Sequence, residues 1–150
     1  MTQETPVPQE RAQMNKAALL RQLETLPIPK DSYVVFGSGP LAVAGIRDAK
    51  DIDLFVSPSA YAVLKAAGWK EHYKGPGDVP LTFGVFEAHD NWDFSKYSPT
   101  FEHLYETAAK VDGIAFASLE EVRKWKQASG IQKHLDDIEL IDEYLAKQKG

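Results

Sequence analysis

Residues 34–56 read VVFGSGPLAVAGIRDAKDIDLFV, and the reading of this stretch decides the fold. The run Tyr33–Phe36 is short, β-branched and aromatic; Asp31-Ser32 precedes it and Gly37-Ser38-Gly39 follows, so it is expected as a buried strand ending in a tight turn. Pro40–Ile46 has the length of two helical turns. Ile52–Val56 is a second apolar run and a second strand, opened by Asp51-Ile52-Asp53. Strand alternation places those two carboxylates on one face, about 7 Å apart.

Two chemistries compete for this segment. GSGPLA formally matches the G-x-G-x-x-A turn of dinucleotide folds, which needs a helix of normal length and an acidic residue at the far end of the second strand, about 20 residues on. Here Asp51 and Asp53 precede the apolar run, and Arg47 and Lys50 cut the helix short, so the dinucleotide reading is set aside. The alternative treats the aspartates as hard oxygen ligands for magnesium, of which phosphoryl-transfer sites commonly hold two ions about 4 Å apart. Without a cation the two carboxylates repel. The turn Gly37-Ser38 meanwhile aims backbone N–H groups at a helix start, where a phosphate is naturally held. An Asp-x-Asp pair or a Gly-Ser turn alone is ordinary structural furniture; what singles them out is their order, a strand, Gly-Ser, twelve residues, then Asp-Ile-Asp opening a second strand.

In this combination the chain resembles the DNA polymerase β-like nucleotidyltransferase superfamily in its minimal, single-domain bacterial form. Phe36-Gly37-Ser38 and Asp51-Ile52-Asp53-Leu54 fit its apolar-Gly-Ser and Asp-apolar-Asp-apolar signature, and Gly45-Ile46-Arg47 is similar to the same region of nucleotidyltransferase-like toxins of abortive-infection systems. The resemblance spans residues 32 to 146. It implies transfer of a nucleoside monophosphate from a nucleoside triphosphate (NTP) to an acceptor hydroxyl, with two Mg2+ ions and release of pyrophosphate.

The resemblance also implies a third acidic ligand on a later strand. Leu81–Glu87 alternates as one strand, with Leu81, Phe83, Val85 and Glu87 on one face and Glu87 at its end. Glu87 is therefore the expected third ligand; Asp90 and Asp93, in the loop beyond, are the alternatives. Asp51 and Asp53 would bind both ions, and Glu87 would complete the catalytic one and help deprotonate the acceptor. Gly37 and Ser38 would hold the triphosphate, while Arg47, Lys126 and Lys133 would offset charge on the pyrophosphate. Lys126 and Lys133 match the family's Lys, loop, Arg-x-Lys-Asp string, but Ile131 stands where Arg is common and His134 where Asp is common. Those departures motivate the rival expectation, a non-catalytic nucleotide-binding or protein-interaction module of antitoxin type. The acceptor stays open among a small molecule, an RNA end and a protein, and its binding falls to loop 74–80, loop 88–99 or a partner subunit, whether a second copy or another protein.

Farther out, residues 1–9 offer no periodic apolar face and read as a flexible tail, with one domain over 10–150. Ala12, Ala17, Leu19, Leu20, Leu23 and Leu26 recur at helical spacing until Pro27. Ser57-Pro58 is an N-cap with proline at the first helical position of Ser59–Ala67. Trp69–Tyr73 reads as a strand, Thr100–Lys110 as a helix and Ile114–Ala117 as a short edge strand. From about 118 a helical C-terminal segment follows: Ser118 and Glu121 form a capping box, and Leu135, Ile138, Ile141 and Leu145 give the last helix its apolar stripe. The fold class is α/β (α+β), a small mixed sheet with flanking helices.

Composition agrees. The chain of 150 residues is 43% hydrophobic and 26% charged, as globular domains are. Seventeen Lys and Arg against twenty-two Asp and Glu give a net charge of −5, so any nucleic-acid contact must be a local patch. The absence of cysteine excludes thiol nucleophiles, Cys-ligated metals and disulfides. The start MTQETPVPQE has no signal-peptide character and no run suits a membrane span, so a cytoplasmic location is expected. His72, His89, His103 and His134 show no metal-ligand spacing; His89, nearest the proposed centre, reads as a polar loop residue. Trp69, Trp92 and Trp125 read as packing rather than base-stacking residues.

Overall fold

The computed structural model describes residues 13–76, 78–91, 97–129 and 134–149. The proposed tail, Trp92, Asp93, Ile131 and Lys133 lie outside them. The fold is a mixed α/β arrangement of helices around one seven-stranded sheet. Helix α1 (Lys16–Leu23) leads into β1 (Tyr33–Phe36), α2 (Gly39–Val43), β2 (Ile52–Val56) and α3 (Pro58–Ala66). Three short strands follow, β3 (Lys70–Glu71), β4 (Leu81–Phe83) and β5 (Phe86–His89), then α4 (Phe101–Glu106), β6 (Ala109–Val111) and β7 (Ile114–Phe116). Helices α5 (Leu119–Ser129) and α6 (His134–Lys149) close the chain. The strand order is β3-β4-β5-β2-β1-β7-β6, with β2–β5 and β1–β7 parallel and the other pairs antiparallel. Among the described residues no helix is long and apolar enough to cross a membrane.

Both faces of the sheet are covered, which is why β1 and β2 are almost continuously apolar instead of alternating. On one face Val35, Leu54, Val56 and Phe86 pack with Leu19, Leu23 and Leu64 of α1 and α3. On the other, Val34, Phe36 and Phe55 pack with Leu104, Val122 and Ile141 of α4, α5 and α6. Along β5 the buried Phe86 and Ala88 belong to the first face, so period-two alternation sends Glu87 and His89 to the second, with Asp53 between Leu54 and Ile52 on β2.

Four expectations are corrected. Leu81–Glu87 is not one strand but a hairpin, β4 and β5, with Phe83 opposite Phe86 and the turn at Gly84, whose φ of +58° a glycine accommodates. Thr100–Lys110 is helical only over Phe101–Glu106; Ala109–Val111 is an edge strand. Consequently Ile114–Phe116 is not an edge but lies between β1 and β6. Leu135 is 48% exposed and drops out of the apolar stripe, in which Ile138 and Ile141 are buried.

Local chemistry accounts for several boundaries. Asn15 caps α1, its side chain accepting from Ala18 N–H. Ser57 caps α3 in the same way with Pro58 behind it. Helix α2 stops short of Ile46 because Gly45 sits at φ +78° and the last carbonyls are closed off, Gly45 N–H bonding Ala42 C=O and Ile46 N–H bonding Leu41 C=O. At the start of α5 Ser118 Oγ accepts from Glu121 N–H, but only half of a capping box forms. The Glu121 carboxylate turns instead to Tyr97 Oη at 2.6 Å and His103 Nε2 at 3.0 Å.

Candidate functional site

Parallel pairing of β2 with β5 sets Asp53 beside Glu87 and puts His89 two residues farther along. One ligand atom from each of Asp53, Glu87 and His89 lies within 4.8 Å of the others. The neighbouring pairing of β1 with β2 sets Phe36 opposite Asp53, so the turn leaving β1 passes over that carboxylate. Gly37 makes this possible: its φ is +66°, and a Cβ there would collide with Asp53 Oδ2. The glycine of the Gly-Ser pair thus supplies the recess in which the aspartate sits.

The two carboxylates of the pair are in opposite electrostatic states. Burial, joined by the negative charge of Glu87, pushes the Asp53 carboxyl up to about 6. A hydrogen bond from His89, and another from Lys74, hold Glu87 down at about 2. His89 Nε2 and Lys74 Nζ each stand 2.8 Å from Glu87 Oε2. On the other side of the imidazole, Asp78 Oδ1 lies 3.9 Å from Nδ1.

Asp53 also forms part of the wall of a cleft of about 450 Å³ between the β1–α2 turn and helices α5 and α6. Gly37, Ser38, Arg47, Asp51 and Lys126 line the same cleft, so six of the eight expected site residues meet there. Glu87 is absent from its walls and touches the centre from the β5 side, through Asp53. Lys133 lies outside the described residues. Asp90, at the end of β5, pairs with its neighbour Asn91 (3.0 Å) and is not in the cluster with Asp53, while Asp93 lies outside the described residues. Asp51 precedes β2, is exposed, and lines the cleft without joining that cluster. The segment that presents it is pinned by two hydrogen bonds between Met14 and Ala49, at 2.6 and 2.9 Å.

Ser38 stands at the head of α2, yet its side chain makes no capping hydrogen bond to the helix. The basic residues opposite are organised by a residue that sequence reading passed over. Asp137 of α6 accepts from Arg47 Nε and Nη2 at 2.7 and 2.8 Å and lies 2.9 Å from Lys126 Nζ. Burial pushes the Asp137 carboxyl up, but the bonds from Arg47 and Lys126 outweigh it and hold it at about 2. Lys126 is only 4% exposed; burial lowers the pKa of its ammonium, with Asp137 acting against that. Trp125 next to it meets Phe36 edge-on at 5.6 Å and His134 at 5.3 Å, closing the end of the cleft.

His89, expected in a loop, ends β5 and is 7% exposed. Its signal was available as Glu87-x-His89, an i, i+2 pair that shares a strand face once the strand is placed correctly. Asp137 left a weaker one, an acidic residue in the first turn of α6. Set against models of known protein families, curated proteins and solved structures, the chain matches none of them.

Proposed function

We propose that this protein is a magnesium-dependent nucleotidyltransferase that moves a nucleoside monophosphate from an NTP to an acceptor hydroxyl. The observation that carries this reading is the pairing of Asp53 with Glu87 across β2 and β5 under the Gly37-Ser38 turn, with Asp53 lining a cleft that Arg47 and Lys126 also line. The residues fit a divalent cation: the nearby donors include two carboxylates, one recessed where only glycine leaves room, and their mutual repulsion is what an added positive charge would relieve. Asp53 and Glu87 would hold the ion, and Asp51 lines the same cleft as Asp53. A divalent cation supplies charge neutralisation and alignment of the attacking and leaving oxygens.

The remaining work falls to the chain. Backbone N–H groups of Gly37 and Ser38, with the Ser38 hydroxyl that makes no capping bond to α2, donate to phosphate oxygens. The acceptor oxygen bonds to the α-phosphorus as the bond to pyrophosphate breaks, and the acceptor proton passes to a carboxylate of the pair. Lys126 and Arg47 meet the charge gathering on pyrophosphate. With His89 and Lys74 bonded to it, Glu87 is a weak base.

A second reading is a non-catalytic nucleotide-binding or protein-interaction module, favoured by one observation: Arg47 and Lys126 are both already engaged by Asp137. Equilibrium binding of each of the four common NTPs with and without Mg2+, together with pyrophosphate release over candidate small-molecule, RNA and protein acceptors, separates the two. Magnesium-dependent binding with turnover that Asp53→Asn abolishes supports the transferase; binding without turnover supports the second reading. Failure of every NTP to bind overturns both.

A further inference from the structure

His89 is more deeply buried than a polar surface residue of an ion-paired strand end needs to be, and both of its nitrogens face carboxylates. We propose that the cation of this centre is held by Asp53, Glu87 and His89 together, and that this mixed oxygen–nitrogen set takes a first-row transition ion of the Mn2+ or Co2+ class in preference to Mg2+. The proposal rests on the reading that the Asp53–Glu87 pair holds a cation, and it adds the third ligand and the kind of ion.

Three observations support it. The first is geometric: donors around one small divalent ion at about 2.1 Å stand roughly 3–4 Å from one another. The three side chains offer ligand atoms within 4.8 Å, with His89 Nε2 and Glu87 Oε2 2.8 Å apart, so small side-chain rotations close the set once the imidazole proton sits on Nδ1, which faces Asp78, and leaves the Nε2 lone pair to ligate. All three are on strands, and Asp53 is held in place by the Gly37 recess.

The second is the orientation of the imidazole. A ligating histidine commonly has its other ring nitrogen turned to a carboxylate, which fixes the ring and raises its basicity. Asp78 occupies that position, 3.9 Å from Nδ1, at the tip of the β3–β4 connection where Lys74 N–H bonds Asp78 C=O.

The third is a cation already lodged at the centre. The Lys74 ammonium sits 2.8 Å from the same Glu87 oxygen that His89 touches, so the chain itself fills this place with positive charge. A divalent ion entering between Asp53, Glu87 and His89 displaces Lys74 from Glu87. The choice of ion follows from the donors. Mg2+ favours oxygen ligands and retains its water, whereas an imidazole nitrogen adds affinity for first-row transition ions.

The test uses the full chain stripped of metal. Calorimetric titration with Mn2+, Co2+ and Mg2+ is expected to show one Mn2+ or Co2+ site at least tenfold tighter than any Mg2+ site. His89→Gln is expected to lose at least tenfold in Mn2+ affinity while changing Mg2+ affinity less than twofold. Pulsed electron paramagnetic resonance of the Mn2+-loaded wild-type chain, labelled with 15N-histidine, is expected to show a directly bound nitrogen, and needs no variant to fold. Absence of nitrogen coupling, or unchanged Mn2+ affinity in His89→Gln, overturns the role of His89 and leaves the carboxylate centre standing. No binding of any of the three ions, or binding unaffected by Asp53→Asn, removes the centre itself and the transferase reading with it.

Discussion

Asp137 grips Arg47 with both carboxylate oxygens, Oδ1 on Nε at 2.7 Å and Oδ2 on Nη2 at 2.8 Å, and shares Oδ2 with Lys126 at 2.9 Å. One carboxylate therefore ties the segment after α2, helix α5 and helix α6 together around the cleft. The forked geometry suits Arg and would not survive replacement by Lys. A phosphate bound there, as the proposed function requires, would meet two cations that are already positioned and partly neutralised.

Asp137→Asn should lower stability at pH 7 by about 3 kcal/mol, because it removes the carboxylate charge that faces the buried Lys126 ammonium and the Arg47 guanidinium. The carboxyl is held at about 2, below its ordinary 3.8, so its stabilisation is present above pH 4 and is lost as pH falls from about 4 to about 2. Urea denaturation of wild type should accordingly weaken across that window, and the variant should lack this component. An unchanged urea midpoint in Asp137→Asn at pH 7 would show that the network contributes nothing net.

Gly37→Ala should cost roughly 1–2 kcal/mol from the left-handed backbone alone, and should also push Asp53 out of its recess. Gly45→Ala makes the control. Its φ is +78° but a Cβ there meets nothing within 4 Å, so the backbone cost is alike and the carboxylate is undisturbed. Divalent-cation affinity should fall at least tenfold in Gly37→Ala and stay near wild type in Gly45→Ala. Equal affinity in the two variants would mean that the recess has no part in holding the cation.

The central strands and the Gly-Ser and Asp-Ile-Asp elements were legible because each is local: apolar runs bounded by turn residues, and a turn that forces a backbone conformation. What was misread is pairing. Phe83-Gly84-Val85-Phe86 continues an alternating pattern, and nothing short of strand pairing distinguishes a long strand from a hairpin with a glycine turn. Alternation puts Glu87 on one face with Phe83 and Val85, but it comes beside Asp53 through parallel pairing with β2. Asp112-Gly113 is a stronger local turn signal. Both residues have positive φ, at 54° and 79°, and they turn β6, whose Ala109 and Lys110 fall in the expected helix, into β7. Asp137 was hidden for another reason: its partners Arg47 and Lys126 are brought to it only by the packing of α5 and α6 on the sheet.

Ser38→Ala should leave the fold within about 0.5 kcal/mol of wild type, since the hydroxyl makes no capping bond to α2. It should weaken NTP binding by on the order of 1 kcal/mol, the worth of one hydrogen bond, because backbone N–H groups carry the rest of the contact. Thermal melts and NTP titration read the two effects separately. A large drop in melting temperature, with NTP affinity intact, would make Ser38 a structural residue and detach it from the site.

Asp53 should govern how the protein responds to pH near neutrality. Its carboxyl is raised from 3.8 to about 6 in the folded chain. Below pH 4 it is neutral in both folded and unfolded states and costs nothing. Between about 4 and 6 the folded chain keeps a proton that the unfolded chain releases, so stability falls as pH rises through that window, and the penalty is complete above 6. The penalty is on the order of 3 kcal/mol, which for a chain of this size corresponds to a melting-temperature change of roughly 6–12 °C. Asp53→Asn removes it, so the variant should melt above wild type at pH 7.5 and level with it at pH 3.5. A divalent cation should close the gap at pH 7.5 by stabilising wild type and not the variant, and this effect should fade as wild type is taken below pH 6 and the carboxyl gains its proton. If Asp53→Asn instead melts below wild type at both pH values, the carboxylate is held by favourable contacts and the centre does not carry the electrostatic strain that a bound cation would relieve.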